Sequence, residues 1–262
     1  MQGYEPFTDN QKTNHMSPKQ PPPHRDPDAL ISYWQLRLFI GVLGLIMPLI
    51  LPLGNKLIRN SGVLEPSISH YYYSIMHVAF MAILCMLGSF LITYRGTSKY
   101  KVCERIVSTI AGIFALGVAA FPTRFAGYND AEHSQLIALI LHDLKDVPDW
   151  VNTLHHIFAA TLFSSFAVFC LVFFQDSDTG VHDKKKKRRN ILYTICGILI
   201  VLSMLAIVFV TFIVKSWDFP NSTFVFETTA LIPFGLSWIV KGSVHWPYAK
   251  NPLLRKSIQL LR

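Results

Sequence analysis

Residues 191–214 read ILYTICGILIVLSMLAIVFVTFIV, 24 positions without an aspartate, glutamate, lysine or arginine. About 20 such residues cross a bilayer, and in lipid a lone segment satisfies its backbone polar groups only as a helix. The stretch is preceded by KKKKRR at 184–189. A basic run beside an apolar span reads as a cytoplasmic anchor that also touches anionic headgroups, not as a nucleic-acid signal.

Working outward, five more apolar stretches lie at about 34–54, 72–94, 103–121, 156–175 and 224–241. With 51% hydrophobic residues over 262 positions, these spans leave no room for a large soluble domain. The expected fold is all-α, a six-helix transmembrane bundle with one extramembrane amphipathic helix. The expected organisation is a disordered tail over 1–30, a membrane domain over 31–245 and a basic tail over 246–262. No secretory leader is visible in the polar first 30 residues, which carry Pro21, Pro22 and Pro23.

The charge is +8, and its distribution sets the topology. Nineteen of the 24 lysines and arginines fall in the N-terminal flank, the loops after spans two and four, and the C-terminal tail. Positive loops stay inside, so both termini are expected in the cytoplasm. The plasma (inner) membrane is the expected location. The four cysteines avoid the outer loops and show no C-x-x-C spacing, so neither a disulfide framework nor a zinc ribbon is expected. Asn221-Ser222-Thr223 forms a glycosylation sequon in a short outer loop.

Local features refine the spans. Arg37 opens span one with a side chain long enough to snorkel, and Pro48 and Pro52 predict a kink. Tyr71, Tyr72 and Tyr73 at the start of span two read as an interfacial belt. Ser108, Gly112, Ala115 and Ala119 form a small-residue packing face on span three. Between spans three and four, Leu136, Ile137, Ile140, Leu141, Leu144 and Val147 recur at helical spacing, ending at Pro148. This reads as an amphipathic helix lying as a lid on the outer surface.

The topology brings several polar residues to one depth. Glu227, His155 and His156 form the candidate catalytic centre, with Ser69, His77, Tyr72 and Thr123 as candidate substrate contacts. Ionisable groups below the membrane surface are costly and face the protein interior or a watery cavity. Their chemistry leaves three uses open. Histidine and glutamate suit a zinc ion, a histidine can act as base toward a serine or an acyl substrate, and a Glu/His set can relay protons. No H-E-x-x-H or G-x-S-x-G motif selects among them. The cofactor is left unassigned.

Three segments together resemble an uncharacterised family of bacterial six-span membrane proteins: 66–72 (PSISHYY), 112–123 (GIFALGVAAFPT) with His156, Ala159 and Ala160, and Glu227 through Gly235-Leu236-Ser237-Trp238 to Lys241-Gly242. The P-x-I-S before span two is similar, more distantly, to the DRAM/Frag/Sfk group. That resemblance implies six spans and, from some eukaryotic members, a link to lipid remodelling or membrane trafficking. It also implies an acidic residue where this chain has His70, which speaks against His70 as an essential acid. The expected function is binding or processing of a lipid-like substrate from the outer leaflet, with membrane lipids as partners and no nucleic acid. The alternatives are a small-solute or proton-coupled transporter and a non-catalytic structural or partner-binding membrane protein.

Overall fold

The computed structural model describes residues 27–59, 64–96, 99–124, 147–176, 184–212 and 221–243. Among them every regular element is helical. The helices are α1 (Pro27–Arg59), α2 (His77–Thr93), α3 (Lys101–Ala120), α4 (Asp149–Val168), α5 (Lys184–Phe212) and α6 (Ser222–Ser243). The last turn of α4 widens into π geometry over Phe169–Phe173, and a 3-10 helix, Ile68–Tyr73, precedes α2. The predicted amphipathic helix before Pro148 lies outside the described residues, as do 1–26 and the basic tail.

Five helices are long and apolar enough to cross a membrane: Gln35–Ile58, Lys101–Ala120, Asp149–Phe173, Lys186–Thr211 and Ser222–Ser243. The sixth expected span, 72–94, is not one continuous α-helix. Its α-helical part, α2, has only 17 residues. At 1.5 Å per residue it covers roughly 25 Å, short of the ~30 Å hydrocarbon core. The apolar run is divided because Ser67 caps the 3-10 helix and Ser74 closes it, its hydroxyl donating to the Tyr71 carbonyl (2.9 Å).

Each helix packs on its neighbour in sequence, and α6 closes on α1. Burial follows helical spacing. On α1 the inward face runs Arg37, Ile40, Met47, Leu51 and Asn55, while Phe39, Leu49, Ile50 and Leu57 point outward. Such exposed apolar ridges are unfavourable in water and suit a membrane-embedded protein. The apolar stretch of α5 is the least buried, 28% against 39–44% in the other four. This helix therefore sits at the periphery.

Glycine pairs set the closest crossings. A Cβ at Gly112 would lie 2.6 Å from the Gly88 carbonyl oxygen, and one at Gly235 would lie 2.6 Å from that of Gly41. The α2–α3 and α1–α6 backbones therefore approach too closely for any side chain. Ser108 hydroxyl donates to the Leu91 carbonyl (2.6 Å) at the first crossing. Aromatic rings fill the remainder, with Phe114 against Phe158 between α3 and α4 and Phe166 stacked on Phe234 between α4 and α6.

The three tyrosines do not form a belt. Tyr71, Tyr72 and Tyr73 are buried, because the 3-10 helix folds over the helix ends and turns them inward.

Candidate active site

The 3-10 helix positions Ser69, and α6 holds that helix from two sides. The Phe224 amide donates to the Pro66 carbonyl (2.9 Å), and the Ile68 amide donates to Glu227 Oε2 (2.5 Å). Ser67 caps the turn by accepting the His70 amide (3.2 Å), and its hydroxyl also meets His70 Nδ1 (2.6 Å).

The facing histidine comes from α4. Arg124 pairs with Asp149, and the Arg124 amide donates to Asn152 Oδ1 (2.8 Å). These bonds fasten the chain leaving α3 to the first turn of α4, so His155, buried, falls one turn further along beneath the end of α3. There the Phe121 carbonyl is free to accept, because a helix leaves its last carbonyls unpaired. His155 Nδ1 lies 2.7 Å from that oxygen and Nε2 lies 3.0 Å from Ser69 Oγ. A carbonyl only accepts, which assigns the proton to Nδ1 and the lone pair to Nε2. The Ser69 hydroxyl then donates to His155.

Ser69 and Glu227 also line a cavity of about 40 Å³ between the helices. Its other walls are apolar, including Phe80, Leu84, Leu87, Leu162, Phe163 and Phe166. The arrangement is a serine hydroxyl that donates to an oriented imidazole beside a small apolar cavity with room for water-sized groups.

The remaining candidates lie at the same end without lining the cavity. His156 is exposed, and its Nδ1 meets the Asn152 carbonyl of its own helix (2.7 Å). His77 Nδ1 lies 2.5 Å from the Tyr72 carbonyl, with its ring edge-on to the Tyr72 ring. The Thr123 carbonyl accepts from Tyr73 hydroxyl (2.6 Å), and its own hydroxyl donates to Asn152 Oδ1 (3.2 Å). Tyr72, His77 and Thr123 brace the turn, whereas His156 bonds only within its own helix. His70 Nε2 is buried without a hydrogen-bond partner among the described residues. Among the described residues no three His, Cys, Asp or Glu side chains converge at metal-binding distance.

A second polar cluster, at the opposite end, escapes a reading of the sequence alone. Arg37 Nη2 donates to Tyr94 hydroxyl (3.0 Å), which donates to Glu104 Oε2 (3.3 Å). All three residues are at most 2% exposed. Arg37 therefore points into the protein, not along the interface. One signal was available: Glu104 stands four residues before Ser108, on the same small-residue face of α3 that packs inward.

Compared with known proteins, the chain matches no family model, no curated protein and no solved structure.

Proposed function

We propose that this chain is a six-span membrane protein with both termini in the cytoplasm, and that it binds or processes a lipid-like substrate in the outer leaflet. The observation that carries this reading is the cavity in which Ser69 and Glu227 are the polar points of an otherwise apolar wall. At about 40 Å³ the cavity admits a water-sized polar group; the lipid's hydrocarbon chain would stay outside it, in the bilayer. The basic loops supply the orientation, and α2 completes the sixth crossing together with the 3-10 helix. The resemblance to the six-span bacterial family, and more distantly to the DRAM/Frag/Sfk group, belongs to the same proposal. Its quoted segments contribute Ser69, the Phe121 carbonyl and Glu227 to one place. A transporter is less well supported, because Phe80, Leu84, Leu87, Phe166 and Phe234 fill the interior between the two polar ends.

Photoreactive phospholipid in nanodiscs tests this reading. Cross-links are expected on the 159–166 segment of α4, in competition with unlabelled lipid. Labelling confined to the exposed face of α5, at Ile195 and Leu202 for example, would mean annular lipid only and would overturn it.

A further inference from the structure

We infer that Ser69 is the nucleophile of an acyl-transfer site whose substrate is an acyl ester of a membrane lipid. The inference rests on the lipid-binding reading above and adds a reaction to it. Two serine–histidine contacts occur on the 3-10 helix, and they differ in kind. Ser67 Oγ already accepts the His70 amide as a helix cap, and it does not line the cavity. Ser69 lines the cavity, and its Oγ meets a histidine nitrogen with a free lone pair. Elsewhere the hydroxyls of Ser74, Ser89, Ser108, Ser165 and Ser243 donate to backbone carbonyls, as serines in helices ordinarily do. A serine donating to an oriented imidazole is the arrangement that activates an oxygen nucleophile, with a third group fixing the ring. Here that third group is the Phe121 carbonyl, which sets the tautomer as a carboxylate would in a triad.

The step balances without a cofactor. Ser69 Oγ bonds to the ester carbonyl carbon as its proton passes to His155 Nε2. The tetrahedral intermediate collapses, the ester C–O bond breaks, and the same proton passes from His155 to the departing alcohol. Water or a second lipid alcohol then attacks acyl-Ser69, its proton moving through His155 back to Ser69 Oγ. The products are a carboxylic acid or a new ester. The acyl chain stays in the bilayer, because the cavity beside Ser69 admits only water-sized groups. Glu227 is a positioning residue, acting through the Ile68 amide beside the nucleophile.

The test is covalent labelling of the full chain in nanodiscs with a long-chain alkyl fluorophosphonate, followed by peptide mapping. The adduct is expected on Ser69, with a labelling rate that rises with pH along one imidazole ionisation. Ser69→Ala removes the adduct. His155→Gln slows labelling on the order of 100-fold or more and abolishes the rising limb. His156→Ala, altered at an exposed ring, labels like the parent. The wild-type adduct site and pH profile decide the matter even if a variant fails to fold. An adduct elsewhere, or none, while photoreactive phospholipid still marks 159–166 would overturn the nucleophile and leave the binding site standing. Loss of both signals would overturn both.

Discussion

Replacing Gly112 by alanine adds one methyl group at the crossing of α2 and α3. Its Cβ would stand 2.6 Å from the Gly88 carbonyl oxygen, 2.7 Å from Ile92 Cγ1 and 2.9 Å from the Ile92 amide nitrogen, against 3.4 Å or more for an ordinary contact. Two of these three atoms are backbone, so no rotamer change relieves them. The helices must part by about 0.8 Å, and a gap of that size forfeits a quarter to a half of the dispersion attraction across it. Overpacking of this kind costs about 1–3 kcal/mol. The Ser108–Leu91 hydrogen bond, one turn away, is stretched and gives up as much as about 1 kcal/mol. Alanine returns at most about 1 kcal/mol of helix propensity. The expected net loss is about 2 kcal/mol. Gly54→Ala is the matched control, because its Cβ would meet the flexible side chain of Met76. There the propensity gain offsets the clash, and the change is near zero. Equilibrium unfolding in detergent micelles measures both. A Gly112→Ala protein as stable as the parent would refute the claim that backbone contact sets this crossing.

Three further outcomes follow from the geometry. Tyr94→Phe removes the hydroxyl between Arg37 and Glu104 and is expected to destabilise the protein by about 2 kcal/mol. Arg37→Leu leaves Glu104 buried beside an apolar side chain and costs more, about 3–5 kcal/mol, much of it recovered in the Arg37→Leu, Glu104→Leu double variant, which a double-mutant cycle in micelles reads directly. Glu227→Gln keeps an oxygen for the Ile68 amide and should leave stability within about 1 kcal/mol, whereas Glu227→Leu strands that amide at about 1–3 kcal/mol; equal effects of the two would show that the carboxylate, not the acceptor, matters.

The neighbours His155 and His156 show where local reading stops. Consecutive residues on a helix point about 100° apart, so only one of the two can face the interior. Nothing within α4 says which; the end of α3, through the Phe121 carbonyl, selects His155. Glu227 stood out because an acid inside an apolar span needs a partner, yet that partner, the Ile68 amide, lies 159 residues away in the chain. Glu104 was hidden by its basic neighbours Lys101 and Arg105, although the small-residue face of α3 passes through it. The tyrosines at 71–73 were placed by their position at a span start, and the direction in which that short turn folds depends on α1 and α6.

Hydropathy and charge by themselves determined that the chain is helical and membrane-suited, roughly where each apolar segment lies, and that alpha-helical spacing governs burial. These are local properties, because in lipid every segment must satisfy its own backbone whatever its neighbours do. Only tertiary packing decided which polar residues meet. Ser69 and His155 are 86 positions apart, and Arg37 and Tyr94 are 57 apart. Such pairs depend on which faces adjacent helices turn toward each other, and glycine contacts and aromatic stacking across the helix crossings set those faces.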